Sequence, residues 1–68
     1  RPEKDAPDRE ILARLSAACK VYDMDGADTA MEEIEAYKYT ADDGLVEWLR
    51  QKVDVVDYPA IVQKLETN

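Results

Sequence analysis

Residues 23–34 read DMDGADTAMEEI, and two incompatible structures compete for them. One is a calcium loop, the other a junction between two helices. An EF-hand loop takes oxygen ligands at positions 1, 3, 5 and 12 and a glycine at position 6. With Asp23 at position 1, Asp25 falls at 3, but Ala27 falls at 5, Asp28 at 6 and Ile34 at 12. The bidentate glutamate is missing and Gly26 is misplaced. Starting from Asp25 puts Ala27 at 3 and Thr29 at 5, which is worse. No metal site is assigned. The helix junction, in contrast, uses every residue. Asp23 ends one helix, Asp25 caps the next, Gly26 opens it, and Asp28 sits in the first turn, where the helix end is positive.

Outward from this junction the apolar residues keep helical time. Upstream, Ile11, Leu12, Leu15, Cys19 and Tyr22 form one stripe, with Asp5 or Asp8 as its cap. Downstream, Ala27, Ala30, Met31, Ile34 and Tyr37 form the inner face of a second helix, from about Gly26 to Tyr37. Glu32, Glu33 and Glu35 lie outside. The run YTADDG breaks the pattern, with Thr40 and Asp43 as a short capping box. A third helix carries Leu45, Trp48, Leu49, Lys52, Val53 and Val56, with Trp48 in the core and Lys52 at the stripe's edge. Asp57 caps a fourth helix, Pro59 falls in its first turn, and Tyr58, Ile61, Val62 and Leu65 face inward. KVYDMDGA at 20–27 and KVDVVDYPA at 52–60 echo one another. VDVVDY alternates like a strand but has no partner run. The expected fold is all-α: a small bundle of four short helices built as two helical hairpins. Residues 1–7, with two prolines, read as the end of a linker, and 8–68 as a single helical domain.

Bulk composition limits what such a domain can do. Its 68 residues make one domain near the lower size for a self-sufficient core. A net charge of −7 repels phosphate backbones and anionic membranes, so neither nucleic acid nor direct membrane contact is expected. One cysteine allows neither an intrachain disulfide nor a zinc cluster. No apolar run approaches the roughly 20 residues that span a bilayer. A cytoplasmic location is expected, compatible with a membrane-anchored parent. Arg1 is not a natural start, so the chain is expected to be a piece of a longer one.

Catalytic chemistry is poorly provided for. There is no histidine. Ser16 has no base nearby in sequence, and Cys19 lies on an apolar stripe, where a thiol behaves as a small hydrophobe. Catalytic carboxylate pairs need pockets that shift their pKa values, and four short helices leave little room for one. No catalytic residue and no cofactor are assigned. The remaining candidate is a protein-contact surface at Tyr37, Lys38 and Tyr39, which joins aromatic area to a cation. The competing reading is that these tyrosines simply close the end of the bundle.

The pieces Tyr22-Asp23-Met24-Asp25, Glu32 to Tyr39, Leu45 to Arg50 and Asp57 to Ile61 together resemble a helical segment near the C-terminus of bacterial hybrid sensor histidine kinases and related multi-receiver proteins. The resemblance covers roughly residues 11–66. It implies a histidine-phosphotransfer-like module of a two-component phosphorelay. This chain departs from that pattern at the decisive point, because it has no histidine to carry phosphate. What the resemblance implies is therefore a non-catalytic docking role, with a receiver or kinase domain of the same chain as partner. The alternatives are a contact domain unrelated to phosphorelays and an acidic ion-binding domain centred on Asp23, Asp25 and Asp28.

Overall fold

The computed structural model describes residues 1–67. In chain order the elements are β1 (Glu3–Lys4), α1 (Arg9–Lys20), α2 (Met24–Ile34), β2 (Lys38–Tyr39), α3 (Leu45–Asp54) and α4 (Tyr58–Glu66). The four expected helices are present, and the architecture is a small all-α bundle with one minimal strand pair.

The junction that decides the fold is a two-residue reversal. After α1, Tyr22 adopts a left-handed conformation with φ of 55°. Its N–H reaches the Cys19 carbonyl at 3.2 Å, and the Asp23 N–H reaches the Ala18 carbonyl at 2.9 Å. This is a Schellman ending, which satisfies carbonyls that the last helical turn would otherwise strand. Asp23 then caps α2, its Oδ1 accepting from the Gly26 N–H at 3.0 Å. The cap is thus Asp23, not Asp25 as the sequence suggested. Asp25 lies inside the first turn of α2, exposed, where its charge still suits the helix's positive end. Gly26 has a packing role: a Cβ there would collide with the Asp23 carboxylate and come within 3.3 Å of the Ala18 Cβ.

The second junction repeats the first. Val56 is left-handed with φ of 57°. Its N–H reaches the Val53 carbonyl at 3.1 Å, and the Asp57 N–H reaches Lys52 at 2.9 Å. Asp57 caps α4 as expected, accepting from the Ala60 N–H at 3.4 Å, with Pro59 in the first turn. VDVVDY is therefore the end of α3, the turn and the start of α4.

Both reversals end their helices earlier than the apolar spacing indicates. Tyr22 and Val56 leave the stripes of α1 and α3, and Tyr37 leaves that of α2, which stops at Ile34. Thr40 and Asp43 do not form the capping box. The start of α3 is Gly44, left-handed at φ of 78°, and the Asp42 side chain accepts from the Val46 N–H at 3.0 Å. Asp8 holds the N-cap position of α1 without a side-chain cap bond, and Lys4 Nζ engages its carboxylate at 2.8 Å.

Within the bundle α1 packs on α2 and α4, and α3 packs on the same two helices. Leu15, Ala27, Met31, Ile34, Leu49 and Ile61 are fully enclosed, and Tyr58 and Cys19 nearly so. Ala18, Ala27 and Ala30 keep the α1–α2 contact close. Trp48, expected in the core, is only partly buried and packs against its edge. Lys52 and Lys64 place their Nζ atoms 5.6 and 5.9 Å from its ring centroid.

Residues 1–7 are tied down. β1 runs parallel to β2, pairing Glu3 with Lys38 and Lys4 with Tyr39. Pro7 is buried, and the ladder continues from the Ala41 N–H to the Asp5 carbonyl at 2.9 Å.

The far end of α4 is clasped to α1. Ser16 Oγ donates to Glu66 Oε2 at 2.8 Å, and Lys20 forms an ion pair with the same oxygen. Hydrogen bonds from Lys20 and then Ser16 hold the Glu66 carboxyl below its ordinary range.

Asp23→Ala and Asp57→Ala should each lose about 0.5–2 kcal/mol in urea denaturation, whereas Asp25→Ala should lose less than about 0.5 kcal/mol. The Glu66 contribution is present above the unfolded carboxylate pKa and fades as pH falls through the lower folded value. Glu66→Gln should therefore melt below wild type at neutral pH, with the gap closing below about pH 4. A gap that persists unchanged into acid would contradict the clasp.

Candidate functional site

The expected partner surface, Tyr37, Lys38 and Tyr39, lies just beyond α2, where β2 meets β1. The two tyrosine rings stand 6.4 Å apart at 50°. Strand alternation separates them from Lys38, which is exposed between them. Tyr39 is half-buried and its hydroxyl donates to the Ile34 carbonyl at 2.6 Å. That bond satisfies one of the carbonyls left open at the end of α2. Burial pushes the Tyr39 hydroxyl's pKa up. Lys4 Nζ sits 4.5 Å from the Tyr37 ring centroid while paired with Asp8, which raises the lysine's pKa.

The three residues are consecutive in the chain. However, much of their binding capacity is spent on holding the N-terminal strand and the end of α2. Lys38 and the free part of Tyr37 remain available. They border an open groove of about 430 Å³. Glu35 and Arg50 line it as an ion pair, Arg50 forking onto Glu35 with Nε to Oε2 at 3.1 Å, and Arg50 also reaches Asp54 at 3.0 Å. Both carboxylates drive the Arg50 pKa further up, Glu35 more strongly. A guanidinium with two such partners is a strut between α2 and α3, not a free anion receptor.

The other chemically able groups have structural employment too. Cys19 is buried in the core, which raises its thiol pKa and keeps it protonated. Ser16 donates to Glu66, whose carboxyl lies below its ordinary range under hydrogen bonds from Lys20 and Ser16, the wrong direction for a base that activates a hydroxyl. Asp23 is occupied as a cap. Among the described residues, no three histidine, cysteine or acidic side chains are grouped to hold a metal ion.

A second surface was not anticipated. The large apolar side chains that stand exposed are Val21, Tyr22, Met24, Val55 and Val56, and all belong to the two helix reversals or the residue just after one. The Tyr22 ring packs 5.3 Å from that of Tyr58, the first residue of α4, so the two reversals share one end of the bundle. The signal available in sequence was the repeated pattern of two apolar residues and an aspartate at 21–23 and 55–57.

Compared with protein families, characterised proteins and solved structures, the chain matches none.

Removing the hydroxyl in Tyr39→Phe should lower stability by about 0.5–1.5 kcal/mol in chemical denaturation, the net worth of one hydrogen bond. An unchanged midpoint would show that the Ile34 carbonyl finds water equally well.

Proposed function

We propose that this domain is a non-catalytic helical contact module of a bacterial two-component phosphorelay protein. It docks a receiver or kinase domain of the same chain in the cytoplasm. The observation that carries the reading is the employment of its reactive groups. Cys19 is enclosed, Ser16 is tied to Glu66, Asp23 and Asp57 cap helices, and Arg50 is held by two carboxylates. What remains for function is surface, and surface serves recognition. The phosphorelay assignment is supported by the sequence resemblance over residues 11–66. The missing histidine limits the role to contact.

Lys38 is an exposed cation of the groove, as is Arg1, and receiver active sites are rich in carboxylates, so the Tyr37–Lys38 edge is the proposed partner face. Incubation with a phosphorylated receiver should leave no acid-labile phosphate on this chain. Tyr37→Ala with Lys38→Glu should weaken receiver binding by roughly tenfold or more while the helical circular dichroism spectrum of the folded domain is retained, as loss of about 1.4 kcal/mol requires. Phosphate on this chain would end the non-catalytic reading. Unaltered binding in the double variant would remove the Tyr37–Lys38 face.

A further inference from the structure

The end of the bundle formed by the two reversals combines three features. The first is exposure. Five apolar side chains stand out here, from 38% exposed at Val56 to 73% at Val21. The second is the backbone. Tyr22 and Val56 hold left-handed conformations at φ of 55° and 57°, in the helix-ending position where glycine is favoured. For a β-branched valine this is an unfavourable conformation. The chain thus carries a side chain at two positions where local physics favours none, and displays both outward. Residues held in such sparsely populated conformations cluster at functional sites.

The third feature is charge. Asp23, Asp25 and Asp28 flank the first reversal, and no salt bridge reaches any of them among the described residues. Met24 and Asp28 share a face of α2, one turn apart. The nearby lysines are engaged elsewhere, Lys20 with Glu66, and Lys52 with Asp57 at 3.7 Å and with the Trp48 ring. The patch is therefore apolar with an uncompensated carboxylate rim.

We infer that this end is a docking surface for a basic amphipathic helix of a protein partner. The partner's apolar face lies across Val21, Tyr22, Met24, Val55 and Val56, and its flanking Lys or Arg side chains meet Asp25 and Asp28. The inference rests on the contact-module reading but not on the phosphorelay partner, and it uses a different face from Tyr37–Lys38. A second copy of this chain fits poorly, because it would bring the same carboxylates against the rim. An anionic membrane is repelled for the same reason.

The test is a titration of the full chain, followed by backbone amide shifts, with a synthetic Leu/Lys amphipathic peptide of about five helical turns. Saturable shifts should be confined to residues 20–28 and 54–60, and binding should weaken as salt is raised. A Leu/Glu peptide of the same pattern should not bind. Val21→Ser with Val55→Ser should weaken binding about tenfold, since the apolar anchors carry most of the affinity. Val56→Gly should melt no lower than wild type, because it frees the backbone, yet bind more weakly. Equal affinity for the Leu/Glu peptide, unchanged affinity in both folded variants, or no saturable shift would overturn the inference. Shifts confined to the Tyr37–Lys38 face would also overturn it while leaving the contact-module reading intact. Concentration-dependent shifts at the reversals without peptide would make a second copy the occupant and overturn it as well.

Discussion

A helix that ends on a left-handed residue has its next two backbone directions fixed, so a second helix starting at once has its direction fixed as well. That constraint operates at both reversals. At Tyr22 and Val56 the chain turns within two residues, and Asp23 and Asp57 immediately cap α2 and α4. The hydrogen bonds from Asp23 to Ala18 and from Asp57 to Lys52 are both 2.9 Å, so the geometry is repeated and not merely similar. Each hairpin then has little freedom in how its two helices face each other. The core is set by how the two hairpins pack, with α1 against α4 and α2 against α3.

The two reversals lie 34 residues apart, and at that shift several core positions correspond, although enclosed Tyr58 falls on exposed Met24. Leu15 matches Leu49, Cys19 matches Val53, Ala27 matches Ile61, and Met31 matches Leu65. The hairpins differ where their neighbours differ. Gly26 matches Ala60, and the glycine allows the shorter cap bond, 3.0 Å against 3.4 Å. Ala30 matches Lys64, because α2 faces the core there while α4 faces the Trp48 groove. The echo visible in sequence aligned Lys20 with Lys52. The structural register instead pairs Val21 with Val55, since the reversal sets the equivalence and the lysines do not.

The existence and type of all four helices were legible, because enclosed residues at helical spacing leave few alternatives. The boundaries were not. A glycine at position 22 or 56 would have announced the stops, whereas Tyr22 and Val56 are apolar and continue the stripe in phase after the backbone has left the helix. The cap was placed at Asp25 instead of Asp23 for a similar reason. Gly26 held the answer: it leaves room for a carboxylate three residues earlier. The β1–β2 pair is two residues long, too short for any alternation to register. At the candidate site the tyrosine pair was legible as a pair. Its engagement by Ile34 and Lys4 was not, because those contacts depend on where residues 1–7 run.

Charge explains how a small acidic domain tolerates exposed apolar turns. Three ion pairs lie between helices that pack together: Arg14 with Glu33 for α1 and α2, Lys20 with Glu66 for α1 and α4, and Arg50 with Glu35, the C-cap of α2, for α2 and α3. Three of the nine cations, Arg14, Lys20 and Arg50, are thus placed at helix seams. Exposed pairs of this kind contribute little stability individually, but they fix which helix faces meet. The consequence lies at the reversals, where Asp23, Asp25 and Asp28 keep their charge uncompensated beside Val21, Tyr22 and Met24. With a net charge of −7, two copies approaching through this end meet like charge before apolar contact. The rim therefore keeps an apolar surface from self-association and leaves it open to a partner of opposite charge.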